Sequence, residues 1–127
     1  MTEIPIVIEV GEKYIFSGVL WDTNLGTRIK DILPLEEKAE TWGEELYMPV
    51  AVNSEIENGQ VVMEKGDLAY WPTMPAFCLF YGPTPASRDD KEIRAAGHVE
   101  VVGKFTGDFS LLKELQGPVK IKISLEE

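Results

Sequence analysis

The chain has little of what most catalytic and metal sites are built from. It holds one cysteine, Cys78, and one histidine, His98, in 127 residues. A lone cysteine forms no internal disulfide and fits a reducing compartment. One His with one Cys is too few for the usual zinc sites, and any Ser-His-Asp arrangement rests on His98 alone. Neither a G-x-x-x-x-G-K-S/T phosphate loop nor a G-x-S-x-G elbow occurs. Cys78 lies in an apolar run, where a thiol is usually inert packing. No metal or cofactor is expected. Positive charge is also scarce: Lys plus Arg number 12 against 22 Asp plus Glu, a net charge of −10. That balance favours solubility and repels nucleic acid and anionic membranes, so neither is expected as a partner. No apolar run approaches the ~20 residues of a membrane helix. The opening MTEIPIVIEVGEKY lacks the basic-then-apolar pattern of a leader. The expected location is the cytoplasm.

What is present suits one packed domain spanning residues 1–127. Hydrophobic residues make up 44% of the chain, ordinary for a globular protein. Ile4, Ile6, Ile8 and Val10 alternate as in a half-buried strand. Gly11-Glu12 then reads as a type II′ turn, and a returning strand runs from about Lys13 to Leu20. Leu25, Ile29, Ile32 and Leu33 fall on one helical face, with Thr23 as N-cap and Pro34 beyond, predicting a helix of about ten residues. Strands follow over 38–42 and 45–50, bent at Gly43, and over 61–63, 68–71 and 77–81. The polar stretch 82–97 shows no period and reads as a long surface loop, either functional or a plain crossing between strands. Val99, Val101, Val102 and Phe105 mark another strand. Asp108 caps a second helix with Phe109, Leu112 and Leu115 as its stripe, stopped by Gly117-Pro118. Val119, Ile121, Ile123 and Leu125 alternate in a last strand. The sum is a mainly β fold: about eight strands closed into a barrel, which removes exposed edges, with two short helices capping it.

The local sequence adds a resemblance. AAGHVEVVGKF (95–105), then DFSLLKELQ (108–116), then VKIKISL (119–125) is similar to the C-terminal part of cyclophilins. TWGEE at Thr41–Glu45, GDLAYWP at Gly66–Pro72 and CLFYGPTP at Cys78–Pro85 resemble, in the same order, an uncharacterised branch of small bacterial and archaeal cyclophilin-like proteins. The resemblance spans nearly the whole chain. It implies the cyclophilin-like barrel, and it raises peptidyl-prolyl isomerisation as an expected activity.

That activity must lower a rotational barrier of ~18–20 kcal/mol. It needs an apolar proline pocket and a donor that favours the twisted bond, an arginine in cyclophilins. With Gly43 in the place of the family's hairpin glycine, Ala39 falls where that arginine stands, Glu44 at a phenylalanine and Tyr47 at a glutamine. No arginine occurs between Arg28 and Arg88. Only Arg88 or Arg94, swinging in from the long loop, remains as a substitute. His98 is offset by one from the family's histidine, and in a strand that reverses the face. No catalytic residue is therefore assigned.

Binding candidates are aromatic. Trp42, Tyr47, Trp71, Phe77, Phe80 and Tyr81 either line a groove or fill the core. Alternation puts Phe77, Leu79 and Tyr81 on one face of their strand and Cys78 and Phe80 on the other. Of the pair Glu44-Glu45, one carboxylate points inward or into a cleft, where it would be paired or carry a raised pKa and could receive a cationic or amide-bearing ligand. A salt bridge at the bend is the plainer reading. Glu44 joins the candidate ligand residues. The leading expectation is a binding module for a proline-containing peptide or small amide-bearing molecule. The alternatives are an isomerase with an atypical site, or, by analogy with cyclophilin-like domains in larger amide-hydrolysing enzymes, an interaction subunit.

Overall fold

A computed structural model describes residues 2–126. Strand β1 (Glu3–Val10) buries Ile6, Ile8 and Val10 and pairs antiparallel with β2 (Tyr14–Trp21). The turn between them differs from the expected type II′. Gly11 and Glu12 both take positive φ, 65° and 60°, the sign pattern of a type I′ turn, closed by Lys13 N–H donating to the Val10 carbonyl at 3.2 Å. Both types match the right-handed twist of a hairpin, so the dipeptide alone did not choose between them. Helix α1 (Asn24–Asp31) starts where the cap was read: the Thr23 hydroxyl accepts from Gly26 N–H at 3.1 Å. It ends before Ile32 and Leu33, which pack against the core from beyond its last turn.

The remaining strands are β3 (Leu35–Thr41), β4 (Glu45–Pro49), β5 (Gln60–Met63), β6 (Asp67–Trp71), β7 (Ala76–Phe80), β8 (Ile93–Thr106) and β9 (Val119–Leu125). Their order is β2-β1-β9-β3-β4-β7-β6-β8, and β8 pairs back onto β2, from Ser17↔Thr106 to Leu20↔Gly103, closing an eight-stranded antiparallel barrel. Every wall strand thereby has two neighbours. The interior holds Ile6, Ile8, Phe16, Leu20, Leu46, Met48, Leu68, Tyr70, Phe77, Leu79, Tyr81, Val102, Phe105, Ile121 and Ile123, joined by Leu25 and Ile29 of α1. Each such side chain contributes about 1.5–3 kcal/mol by leaving water.

The second expected helix is a single 3-10 turn, Phe109–Leu111, capped by the Asp108 carboxylate accepting from Ser110 N–H at 3.1 Å. The stripe Phe109, Leu112, Leu115 repeats every three residues, which is the 3-10 period and not the α period. Phe109 meets Phe105 edge-on, ring centroids 5.0 Å apart, and Leu112 is fully buried.

The largest departure from the sequence reading is β8. Residues 93–97, expected as loop, are its first part. The strand runs for 14 residues, and only its second part belongs to the barrel wall. The first part leaves the wall as an arm and pairs with β5 in a small separate sheet. Under the arm lies a second apolar cluster, on the outside of the barrel: Met63, Ala69, Ala76, Cys78, Phe80, Ile93, Ala95 and Val99. Strand β7 is consequently buried on both faces.

Candidate functional site

The site grows out of this double layer. In β4, Leu46 and Met48 point into the barrel and are wholly buried, so the alternation of the strand sends Glu45 and Tyr47 to the outer face. In β7, Phe77 and Leu79 point in, while Cys78 and Phe80 point out. The ladder pairs Glu45 with Phe80 and Tyr47 with Cys78. Trp71 ends β6, Met74 lies in the turn before β7, and Ala95, Ala96 and Val99 come from the arm of β8.

Trp42 is set by the β3–β4 turn, where its N–H donates to the Glu45 carbonyl at 2.9 Å. Gly43 in that turn has φ of 61°, and a Cβ there would sit 2.8 Å from Thr84 Cα and from Pro85 Cδ. The turn is clamped to the segment after β7: Glu44 N–H donates to the Pro83 carbonyl at 2.9 Å, and Tyr81 N–H donates to the Glu44 carbonyl at 3.0 Å. That segment is tied to the arm in turn, because the Thr84 hydroxyl donates to the Arg94 carbonyl.

These elements enclose a cavity of about 260 Å³ lined by Trp42, Glu45, Tyr47, Trp71, Met74, Cys78, Phe80, Ala95, Ala96 and Val99. Glu45, Cys78, Phe80, Ala95 and Val99 are buried, Trp42, Tyr47 and Trp71 half-buried, and Met74 is 55% exposed. The wall is therefore apolar and aromatic, with one carboxyl at its buried side. A shallower apolar groove lined by Tyr47, Pro49, Val50, Met74, Pro75 and Ala76 adjoins it, sharing Tyr47 and Met74.

Glu45 is only 6% exposed, and its Oε1 has no hydrogen-bond partner among the described residues. Burial pushes its pKa from 4.5 to about 7, and hydrogen bonding with the Cys78 thiol offsets part of that rise. Burial also pushes the Cys78 thiol well above its ordinary value, and the Glu45 charge and hydrogen bond push the same way. Tyr81 is raised to about 12, by burial first and then by the charges of Glu44 and Glu45.

Of the residues singled out from sequence, Trp42, Tyr47, Trp71 and Phe80 line this cavity together. Phe77 and Tyr81 do not; both lie in the barrel interior, 0% and 1% exposed. Glu44 does not either. Its side chain folds over Gly82, with Oε1 3.8 Å from Lys113 Nζ. The carboxyl of the pair that enters the cavity is Glu45, because it shares the outward parity of Tyr47. Met74, Ala95 and Ala96 carry no signal in the sequence, where 82–97 reads as loop, and Val99 reads as a strand residue with nothing to mark it as part of a site.

No arginine lines the cavity. Arg94 is held by Glu92, at 2.9 Å from Nε and 3.1 Å from Nη2; Arg88 is exposed; Arg28 lies along a separate polar groove near 53–57. Ala39, at the arginine position of the resemblance, is buried in the interior. His98 is exposed beside Gly59. Among the described residues no three His, Cys, Asp or Glu side chains gather as a metal requires, and no helix is long and apolar enough to cross a membrane.

Comparison with known proteins agrees with this architecture. The family model described as Cyclophilin-like matches residues 3–124. The solution structure of the hypothetical protein AF2241 from Archaeoglobus fulgidus is similar at 35% identity, covering 98% of this chain and 95% of that one, with a TM-score of 0.76. McbB, solved in complex with tryptophan, shares the fold at 16% identity and a TM-score of 0.70; the match covers 95% of this chain and 44% of McbB. No curated protein matches the chain. The family match and the similarity to AF2241, on the barrel described above, make this chain a member of the cyclophilin-like family.

Proposed function

We propose that this cyclophilin-like domain is a binding module whose outer cavity takes a compact, largely apolar ligand, a peptide group or small amide-bearing molecule, without efficient isomerase catalysis. One observation carries the reading: Glu45 is buried at an aromatic cavity with an oxygen that has no hydrogen-bond partner among the described residues. Leaving a buried acceptor unpaired costs about 1–3 kcal/mol. A ligand that places a nitrogen-bound hydrogen on this carboxyl recovers this while its body covers the half-buried Trp42, Tyr47 and Trp71. A lining of aromatic rings with few polar groups is the usual make-up of a small-molecule site.

The test is an NMR titration of the labelled protein with N-acetylprolinamide and a panel of small amides and amines. The expected shifts fall on the Trp42 and Trp71 indoles and spare Trp21. A panel that moves neither indole at millimolar concentration removes the reading.

A second reading has one observation in its favour. With a pKa near 7, Glu45 is partly protonated at neutral pH and has an O–H to donate, so it could stand in for the missing guanidinium of a prolyl isomerase. A protease-coupled assay on a proline peptide separates the two. A flat trace supports the binding module. Acceleration that disappears in Glu45→Met, which has no donor, supports the atypical isomerase.

A further inference from the structure

A carboxyl buried this deeply normally has a cationic partner, because burying one charge alone is far more costly than burying a pair. Asp67 follows that rule: it is 2% exposed, with Lys104 Nζ 2.7 Å from its Oδ1. Glu45 does not. Its cavity is lined by no lysine, arginine or histidine. The basic side chains of the surrounding segments are engaged elsewhere, Lys113 towards Glu44 and Arg94 with Glu92. What surrounds the carboxyl instead is aromatic: two tryptophans, a tyrosine and a phenylalanine. Ring faces attract cations, most strongly when water is excluded. The chain's net charge of −10 adds a long-range field that concentrates cations at its surface.

Resting on the reading of this cavity as a ligand site, we infer that its ligand is a protonated organic amine, with the ammonium head on the Glu45 carboxylate and the half-buried rings of Trp42, Tyr47 and Trp71 around it. The ammonium is the counter-charge that the fold omits. A neutral amide supplies an N–H to the same carboxyl and packs on the rings, but it leaves the charge of the ionised carboxylate unbalanced and lacks the attraction of a cation to the ring faces.

The arrangement carries a signature. Amine binding needs ionised Glu45, while burial holds the empty site's carboxyl partly protonated near neutral pH. Binding therefore releases a proton, and affinity rises with pH until Glu45 is fully ionised. The other titratable groups facing it are Cys78 from β7, raised above this range, and Tyr47 from its own strand; Tyr81 behind the wall is also raised, to about 12. Of the nearby carboxylates, Glu44 turns to Lys113, and Glu100 accepts from Glu57 N–H at 2.8 Å. The arm presents only Ala95, Ala96 and Val99.

The experiment compares benzylammonium with benzyl alcohol and benzamide, three probes of similar body, by calorimetry on the intact chain at pH 6 and pH 8. Benzylammonium is expected to bind best, about tenfold more tightly at pH 8 than at pH 6, with proton release seen as a dependence of the heat on buffer ionisation. In Glu45→Gln the preference over benzyl alcohol should vanish. Benzamide or benzyl alcohol binding as well as benzylammonium, or benzylammonium binding more tightly at pH 6, overturns the amine assignment while leaving a ligand site. Failure of all three probes to bind overturns the amine assignment and the ligand site together. The comparison among probes uses the unaltered protein, so it does not depend on how Glu45→Gln folds.

Discussion

Glu45 and Cys78 lie on adjacent strands, on one outer face, diagonally across a ladder in which Glu45 pairs with Phe80 and Tyr47 with Cys78. The carboxylate keeps the thiol protonated, and the thiol's hydrogen bond makes the carboxylate slightly easier to form. Burial is the larger cause in both groups, adding to the effect of Glu45 on the thiol and opposing that of the thiol on Glu45. The pair therefore sits at neutral pH as a thiol beside a partly protonated acid, whose Oε1 has no hydrogen-bond partner among the described residues.

The first consequence is a pH dependence of stability. Burial holds the folded-state pKa of Glu45 at about 7, above the ordinary 4.5 of an exposed glutamate. The folded protein therefore binds this proton more tightly than the unfolded chain does. The resulting stabilisation is fully present below pH 4.5 and is lost as pH rises through 7, a change of about 3 kcal/mol. Urea unfolding of the ligand-free protein at pH 5 and pH 8 should show this loss against the background of other groups. Glu45→Gln should abolish the 4.5-to-7 component and be the more stable of the two proteins at pH 8. Equal slopes for the two proteins would mean that the carboxyl is solvated.

The second concerns reactivity. Cys78 is 2% exposed, and burial and Glu45 both hold its thiol in the unreactive form. Nucleophilic attack requires thiolate. A thiol-disulfide reagent such as Ellman's should leave the native protein unlabelled at pH 8 and label one equivalent after denaturation. Rapid native labelling would show that the cavity opens to its buried side.

Much of the barrel was legible because its strands have one wet and one dry face. The alternation at Ile4–Val10 and at Val119–Leu125, and the Thr23 cap, are local signals, and the structure repeats them. What could not be read locally depends on distant partners. The arm at 93–97 is a strand only because β5 pairs with it and the outer wall lies beneath it. Its buried positions, Ile93 and Ala95, follow a run of polar residues, and Ala95 carries little apolar surface. Strand β7 is dry on both faces, so AFCLF shows no polar side to tell inside from outside, and Phe77 and Tyr81 looked as eligible for the groove as Phe80. Glu45 was within reach: it lies two residues before Tyr47, and in a strand that places both on one face. The turn at Gly43 obscured where the strand parity begins.

Gly43 itself gives the third prediction. Its φ of 61° costs a residue with a Cβ about 1–2 kcal/mol. The new Cβ would also meet Thr84 Cα and Pro85 Cδ at 2.8 Å, and Thr84 Cα belongs to backbone that cannot simply rotate away. Gly43→Ala should therefore lose about 2 kcal/mol or more in denaturant unfolding. Because the same turn holds Trp42 and Glu45, weakened ligand binding should accompany the loss. A variant with unchanged stability would show that the clamp between this turn and the 83–85 segment is loose.

Phe77 and Tyr47 provide the sharpest separation between barrel and site. Phe77 is fully buried in the interior, opposite Tyr70 of β6 and Met48 of β4, so Phe77→Ala leaves a cavity in the main core. It should cost about 3–5 kcal/mol, a typical value for a buried phenylalanine. Tyr47 points to the outer face, is half-buried, and lines both the cavity and the adjoining groove. Tyr47→Ala should cost about 1 kcal/mol of stability, less than Phe77→Ala, because Tyr47 is only half-buried against the outer cluster and leaves the barrel interior filled, yet weaken ligand binding at least tenfold. The milder Phe77→Leu keeps the core mostly filled and should fold well enough to bind ligand with unchanged affinity. The measurements are urea midpoints and ligand titrations on all three variants. If Tyr47→Ala binds as the parent does while Phe77→Leu loses affinity, the ligand enters the barrel interior and the outer cavity is not the site.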